Sequence, residues 1–343
     1  MQYSQLLNAA ATPGEAWRIA GEVWHAYEAR RGAPACITVA GYGACLRVER
    51  DALVIHCGPT HSTDTPADVR IERGARSVDT IVLMTTRGSL SLDAIQWCAD
   101  QRVAVLVLDR DGNLASVVQA ATPAKIERRR RQYTMPPATS LDLARRLVAR
   151  KLTSSIEARP MAALPLHGFQ KDLGAARSID EVRLIEGRAA GIYWAAWTFP
   201  LHWKGTVPES WAVFTQRTAL NGTPRHAVHP VNAMLNYGYA VLAGHIERAI
   251  VVRGLDPAVG VLHTETTGRN SLTYDLIESL RAPLDARLLP WIEIQRWTMA
   301  DFTRDRAGVV RLHPQLARVV VQQASESQRA IDEVVDWYIR QLV

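Results

Sequence analysis

Residues 125–158, KIERRRRQYTMPPATSLDLARRLVARKLTSSIEA, mark a change of periodicity along this 343-residue chain. Upstream, apolar residues come in short β-branched runs: ACITVA (35–40), ACLRVERDALVIHC (44–57), VRIERG (69–74) and TIVLMTT (80–86). The second run alternates on both sides of Arg50-Asp51, which predicts a hairpin. SLDAIQWCADQR (91–102) predicts a helix capped by Ser91, and VAVLVLDRDG (103–112) a buried strand ending in a turn. From Leu141 onwards the pattern is helical. LDLARRLVARKLTSSIEA (141–158) is one amphipathic helix with a basic face, and Ser178 to Glu181 form a capping box for a helix running to about Trp197. Residues 229–253 predict a long, buried helix, and residues 314–342 the last helices. The expected class is α+β: an N-terminal mostly β domain, then a larger all-α catalytic domain. The divisions are an N-terminal helical extension (1–34), a β-rich domain (35–122), a basic linker (123–140) and an α-helical catalytic domain (141–343).

Composition bounds the function. A hydrophobic fraction of 48% with 22% charged residues is that of an ordinary globular protein. No apolar run reaches the ~18–20 residues of a membrane helix, and MQYSQLLNAA has neither the basic start nor the apolar core of a signal peptide. The four cysteines, Cys36, Cys45, Cys57 and Cys98, form no C-x-x-C pair, so reduced structural thiols in a cytoplasmic protein are expected and zinc is disfavoured. The net charge of +6 is local. Residues 125–159 hold ten Lys/Arg against three acids, a surplus of seven that leaves the rest of the chain near neutral. Arg128, Arg129, Arg130 and Arg131, with the Arg145, Arg146, Arg150 and Lys151 face, are therefore candidate contacts to a nucleic-acid backbone; a solvated helical face is the alternative.

One stretch combines histidine and carboxylates at a spacing chemistry uses. In GVLHTETTGRNSLTYDLIESLRAP (260–283), Leu272, Leu276, Ile277 and Leu280 make a helical stripe, with Ser271 as N-cap and Pro283 as the stop. Asp275 and Glu278, three residues apart, share a face, and the GRNS turn lets His263 fold back towards it. A cation held there needs another carboxylate. Glu186, in the otherwise apolar RLIEGRAAGIYW, is the best candidate, because a buried unpaired glutamate is costly. Carboxylates and one imidazole without thiolate favour Mg²⁺ or Mn²⁺, the ions of phosphodiester chemistry. The competing reading is a surface ion-pair cluster beside a core His263. His56 and His61, around a Gly-Pro turn, read as loop histidines.

Taken with PRHAVHPVNAMLNYGYA (224–240) and EGRAAGIYW (186–194), the segment GVLHTETTGRNSLTYDLIESLR (260–281) resembles the CRISPR-associated spacer-acquisition endonuclease/integrase family, Cas1. The motifs fall in the family's order at Glu186-Gly187, Pro230 to Tyr239, Gly254 to His263 and Ser271 to Arg281, and the likeness spans about residues 35–340. It implies a β domain, a linker and an α-helical catalytic domain, with Glu186, His263 and Glu278 as metal ligands and Asp275 as a supporting acid. Arg225 falls where the family has an arginine near the catalytic centre. Asn232 and Asn236 match polar positions that either tie helices together or touch substrate, and Tyr237 and Tyr239 read as core. The basic residues 128–131 and 145–151 match no strict motif; charge alone assigns them to DNA.

The implied activity is insertion of short DNA segments (spacers) into a CRISPR array by metal-dependent transesterification, in antiviral defence. The implied partners are protospacer and repeat DNA, a second copy of the chain in a homodimer, and the small protein Cas2; no membrane is involved. Two other readings stand beside it: a stand-alone casposase-like integrase or branched-DNA nuclease using the same residues, and a non-catalytic DNA-binding scaffold. The first 34 residues and the long THSTDTPADVR segment depart from the ordinary family pattern.

Overall fold

The computed structural model describes residues 35–58, 68–75, 78–84, 87–109, 111–122, 125–217, 226–263, 269–324 and 328–342. The N-terminal helix, His61, most of THSTDTPADVR and Arg225 lie outside these residues. The chain is α+β, strand-rich first and helical later. It divides into two compact units, one drawn from residues 1–121, 219–241 and 298–325, the other from 122–218, 242–297 and 326–343.

The first unit is organised by two four-stranded sheets. Strands β1 (Ala35–Ala40), β2 (Ala44–Glu49), β3 (Ala52–His56), β4 (Val69–Ile71), β5 (Val78–Met84), β6 (Gly88–Leu90), β7 (Ala104–Leu108) and β8 (Leu114–Val118) are joined by one helix, α1 (Leu92–Gln101). One sheet has the order β1-β5-β7-β8, parallel except for the last pair; the other has the order β4-β3-β2-β6. The hairpin expected at Arg50-Asp51 pairs β2 with β3, closing at Glu49 opposite Ala52. Both turn residues have positive φ, 49° and 64°, the geometry of a two-residue turn whose twist matches the strands. Ser91 caps α1 as expected, accepting from Ala94 N at 3.1 Å. Val39, Leu46, Leu53, Ile55, Ile81 and Val105 from both sheets pack with Trp97 of α1 in one core. Trp97 is seated by its own polar atom, Nε1 donating to Asp51 O at 2.9 Å. The four cysteines form no disulfide; Cys98, buried in this core, has its thiol pushed up to about 11 by desolvation.

The helices after α1 are α2 (Ile126–Tyr133), α3 (Pro137–Ala158), α4 (Ala163–Ala175), α5 (Ile179–Ala195), α6 (Pro230–Val252), α7 (Ser271–Ile294), α8 (Pro314–Ala324) and α9 (Gln328–Gln341). Residues 123–140, expected as a linker, thus carry α2 and the first turn of α3. In the second unit Val148 and Leu152 of α3, Leu166 and Phe169 of α4, and Val182 and Ile185 of α5 share a core with Leu262. Removing such side chains from water is worth ~1.5–3 kcal/mol each.

Three terminus signals resolve differently from their sequence reading. Ser178 caps α5 by accepting from Glu181 N, but Glu181 reaches back one residue too far for a capping box and takes Arg177 N at 2.6 Å. Ser271 is the first residue of α7 rather than its cap; Asn270 holds the cap position, and its side chain is committed to Glu247. Pro283 does not stop α7, which continues through Pro283 and Pro290 to Ile294. An internal proline costs ~3 kcal/mol through one lost backbone bond and ring crowding. Burial of Leu284, Leu288, Leu289 and Ile292 beyond Pro283 outweighs that cost.

Candidate active site

The four acid and imidazole positions singled out in the sequence lie in the second unit. Glu186 comes from α5, Asp275 and Glu278 from α7, and His263 from the segment preceding α7. α7 packs along α3, so the facing side chain of α3, Lys151, enters the same site.

Asp275 organises the His263 segment. Its carboxylate is fully buried and accepts four bonds: Oδ2 from Val261 N (2.5 Å) and Leu262 N (3.0 Å), Oδ1 from His263 N (2.9 Å) and His263 Nδ1 (2.6 Å). Since a carboxylate only accepts, Nδ1 is the donor in the 2.6 Å contact, and in the neutral ring Nε2 then carries the lone pair. Gly260 permits this wrap. A Cβ there would come within 2.8 Å of Asp275 Oδ2 and of the Ser271 backbone. Arg183 of α5 adds a tie, donating to Leu262 O at 2.5 Å.

Glu278 is buried and lies between two cations, with Oε1 2.6 Å from Arg281 and Oε2 2.6 Å from the Lys151 ammonium. Burial alone would raise its pKa; Arg281 and Lys151, with a smaller contribution from His263, hold it down to about 2. Lys151 also bonds Glu186 Oε1, so the Glu186 and Glu278 carboxylates converge on one ammonium. Desolvation works against the Lys151 charge, but Glu278 and Glu186 outweigh it and raise its pKa above the ordinary value. Glu278 Oε2 faces the Lys151 ammonium at ion-pair and hydrogen-bond distance.

Among the described residues no three His, Cys, Asp or Glu side chains already cluster as metal ligands. Glu186 and Glu278 meet at a cation, and that cation is Lys151. Two carboxylate oxygens with a neighbouring imidazole are nonetheless a donor set of the right chemistry for Mg²⁺ or Mn²⁺.

The basic residues separate into groups. Arg130 and Arg131 are exposed, Arg130 paired with Glu127 at 2.5 Å. Arg146 is exposed and pairs with Asp142 at 2.8 Å. Arg129 is half-buried. Arg128 donates to Arg253 O (2.5 Å) and Arg145 to Ala176 O at the end of α4 (3.1 Å from Nε), so both tie helices to loops. Arg150 stacks over Trp337. Lys151 is turned inward and leaves the stripe altogether. His56, at the end of β3, pairs with Asp68 at 2.6 Å. Asn232, Tyr237 and Tyr239 are buried, as core residues would be.

Sequence reading missed Gln132. Buried at the end of α2, it grips the loop leading into the site: Nε2 donates to Asp256 O (2.8 Å) and Val259 O (2.9 Å), and Oε1 accepts from Asp256 N (3.0 Å). Tyr133 adds a bond to Asp256 Oδ2 at 2.7 Å. No periodicity marks Gln132, which sits among arginines; only the fold brings it to residues 124 positions away. Arg281 was legible in principle, three residues after Glu278 on the same face.

The family described as CRISPR associated protein Cas1 matches residues 37–326. CRISPR-associated endonuclease Cas1 3 of Thermus thermophilus is 30% identical over 281 residues, 79% of this chain and 80% of that protein. Among solved structures, a casposase bound to integration product superposes with TM-score 0.75 at 24% identity, covering 89% of this chain and 90% of that one. A Cas6-RT-Cas1–Cas2 complex superposes with TM-score 0.65 at 18% identity, over 91% of this chain and 35% of that one. At these identities the two structural likenesses speak to the fold. Among the described residues no helix is long and apolar enough to cross a membrane.

Proposed function

Because this chain belongs to the Cas1 family of CRISPR-associated proteins, we propose that it is a metal-dependent DNA integrase that inserts short DNA segments into a CRISPR array. The observation that carries the reading is the convergence of Glu186 and Glu278 on one cationic point, beside a histidine whose ring is fixed by a buried aspartate. Glu186, Glu278 and His263 Nε2 would hold Mg²⁺ or Mn²⁺, which when bound supplies charge to the scissile phosphate and the leaving oxygen.

The chain's own residues do the rest. Asp275 holds the imidazole in the tautomer that leaves Nε2 free to coordinate, and Arg281 keeps Glu278 ionised and aimed. The exposed arginines of α2 bind the DNA backbone without reading sequence. In the reaction a 3′-hydroxyl of the incoming segment attacks a phosphodiester at the repeat edge. One P–O bond forms, one breaks, and the hydroxyl proton ends on the departing 3′-oxygen, so no high-energy cofactor is consumed. Positioning two DNA ends contributes much of the acceleration. The pairing of Cas1 with Cas2 in the Cas6-RT-Cas1–Cas2 assembly supports a Cas2 partner for this chain, which we place in the cytoplasm as a homodimer that binds Cas2.

The test is strand transfer of a short duplex with free 3′-hydroxyls into a plasmid carrying a repeat array, with Mn²⁺, with and without Cas2. Insertion at repeat borders, lost in Glu186→Ala and His263→Ala while DNA binding persists, is the expected result. Insertion elsewhere without Cas2 would instead mark a stand-alone integrase. DNA binding with no cleavage or joining under any condition would leave only a scaffold.

A further inference from the structure

Lys151 has a side chain 17% exposed and touches both carboxylates proposed to hold a metal, Glu186 at Oε1 and Glu278 at Oε2. Arg281, the other cation, meets Glu278 at Oε1. The two cations thus divide the oxygens of Glu278. Withdrawing Lys151 frees one oxygen on each glutamate, while Arg281 continues to hold Glu278 in place.

Their anchoring differs as well. Arg281 is three residues from Glu278 on one helix, a fixed separation. Lys151 reaches in from α3 on a four-carbon stem, and its neighbour Leu152, not Lys151 itself, fills the core. An ammonium on such a stem can swing to solvent without moving the helix.

Resting on the metal reading above, we propose that Lys151 is the resident counter-cation of this site and that a divalent ion enters by exchange with it. The ammonium balances the converging carboxylates in the metal-free protein. It cannot remain between them beside a second, doubly charged cation, because the like charges repel across a partly desolvated gap. Metal affinity is therefore set by a competition built into the chain. Lys151 lowers the affinity for the ion and keeps two close, partly buried carboxylates from repelling one another in its absence. In the metal-bound state the displaced ammonium is a solvent-accessible amine beside the site.

Two measurements test this, neither reading catalysis. Free Mn²⁺ is followed by its aqueous EPR signal in titrations of wild type, Lys151→Met, which keeps the stem and loses the charge, and Lys151→Arg. The Met variant is expected to bind Mn²⁺ at least tenfold more tightly than wild type, and the Arg variant no more tightly than wild type. On the wild-type protein, an amine-reactive ester read out by peptide mapping should label Lys151 slowly without Mn²⁺. Labelling should be at least severalfold faster with it, at a half-saturation matching the EPR titration. Equal or weaker Mn²⁺ binding by Lys151→Met, or Lys151 labelling indifferent to Mn²⁺ in a wild type that binds the ion, overturns the exchange and leaves the metal reading intact. No Mn²⁺ binding by either protein overturns both.

Discussion

Replacing Asp275 by asparagine changes one atom and, on this geometry, both the stability and the ligand chemistry of the site. The carboxylate accepts from Val261 N, Leu262 N, His263 N and His263 Nδ1, two on each oxygen. An asparagine must turn an NH₂ towards one of these pairs. Turned towards Val261 and Leu262 it faces two fixed backbone donors. Turned towards His263 it faces one fixed donor and a ring nitrogen able to accept by changing tautomer, so the second orientation wins. One charge-assisted bond, worth ~1.5–3 kcal/mol, then disappears outright, and the bonds to Val261 and Leu262 weaken to neutral strength at ~1 kcal/mol each. The amide is cheaper to bury than the carboxylate, which returns about 1–2 kcal/mol. The net cost is about 3 kcal/mol. Urea unfolding of metal-free protein measures the global loss, and hydrogen exchange of the 259–263 backbone the local one, where about 3 kcal/mol corresponds to a protection loss on the order of 100-fold. The ring should change from Nδ1–H to Nε2–H, visible in the ¹⁵N shifts of labelled histidine, and Mn²⁺ affinity should fall because the coordinating lone pair is gone. A loss of stability below ~1 kcal/mol with unchanged protection of residues 261–263 and an unchanged tautomer would refute the arrangement on which the site is argued.

Further outcomes follow from other contacts. Gln132→Ala removes three hydrogen bonds to the 256–259 loop, should cost about 2 kcal/mol, and should accelerate hydrogen exchange across that loop; unchanged exchange would deny α2 its clamping role. Glu278→Gln breaks the ion pairs with Lys151 and Arg281 and should destabilise metal-free protein by on the order of 3 kcal/mol. Glu186→Gln, at a more exposed carboxylate, should cost less, and a rise in Tm for either variant would mean the carboxylates are uncompensated. Glu278 has its pKa depressed to about 2, so its contribution is fully present above an unfolded value of ~4.3 and is lost as pH falls through the folded value. Acid unfolding followed between those limits should therefore show a limb that Glu278→Gln flattens. Arg130→Ala with Arg131→Ala, both exposed, should weaken DNA binding for all sequences and reduce the log–log salt slope by about 1 for each phosphate no longer neutralised.

How much was legible depends on whether the signal was local. The Arg50-Asp51 hairpin, the Ser91 cap and the alternating strands depend on residues a few positions apart, and each formed where its spacing put it. Pro283 is local in sequence but not in energy: the residues that carry α7 past it, Leu284 to Ile292, are held by packing that no window around the proline contains. Asp275 and Glu278 share a helix face by spacing alone, and burial confirms their special environment. Spacing could not assign them different work. Asp275 receives backbone donors from a loop, whereas Glu278 receives cations from two helices. Lys151 read as one more member of a basic stripe, because composition records charge and not direction. The helical phase that buries Leu147, Val148 and Leu152 also turns Lys151 inward.

That phase explains why a charged cluster persists inside a helical unit. Each of its main members adjoins a residue that anchors its helix: Lys151 beside Leu152, Glu186 beside Ile185, Glu278 beside Ile277. The apolar neighbours fix where the three helices sit, so the two carboxylates cannot move apart to relieve their repulsion without opening the packing behind them. Separation would cost the core, and protonation is opposed by the adjacent cations that hold Glu278 at about 2. The remaining way to satisfy the pair is for a cation to stand between them at all times. With Lys151 and Arg281 in place the charges of Glu186 and Glu278 balance. On the proposed exchange, a divalent ion would gain access only by offering the carboxylates more than a flexible ammonium does.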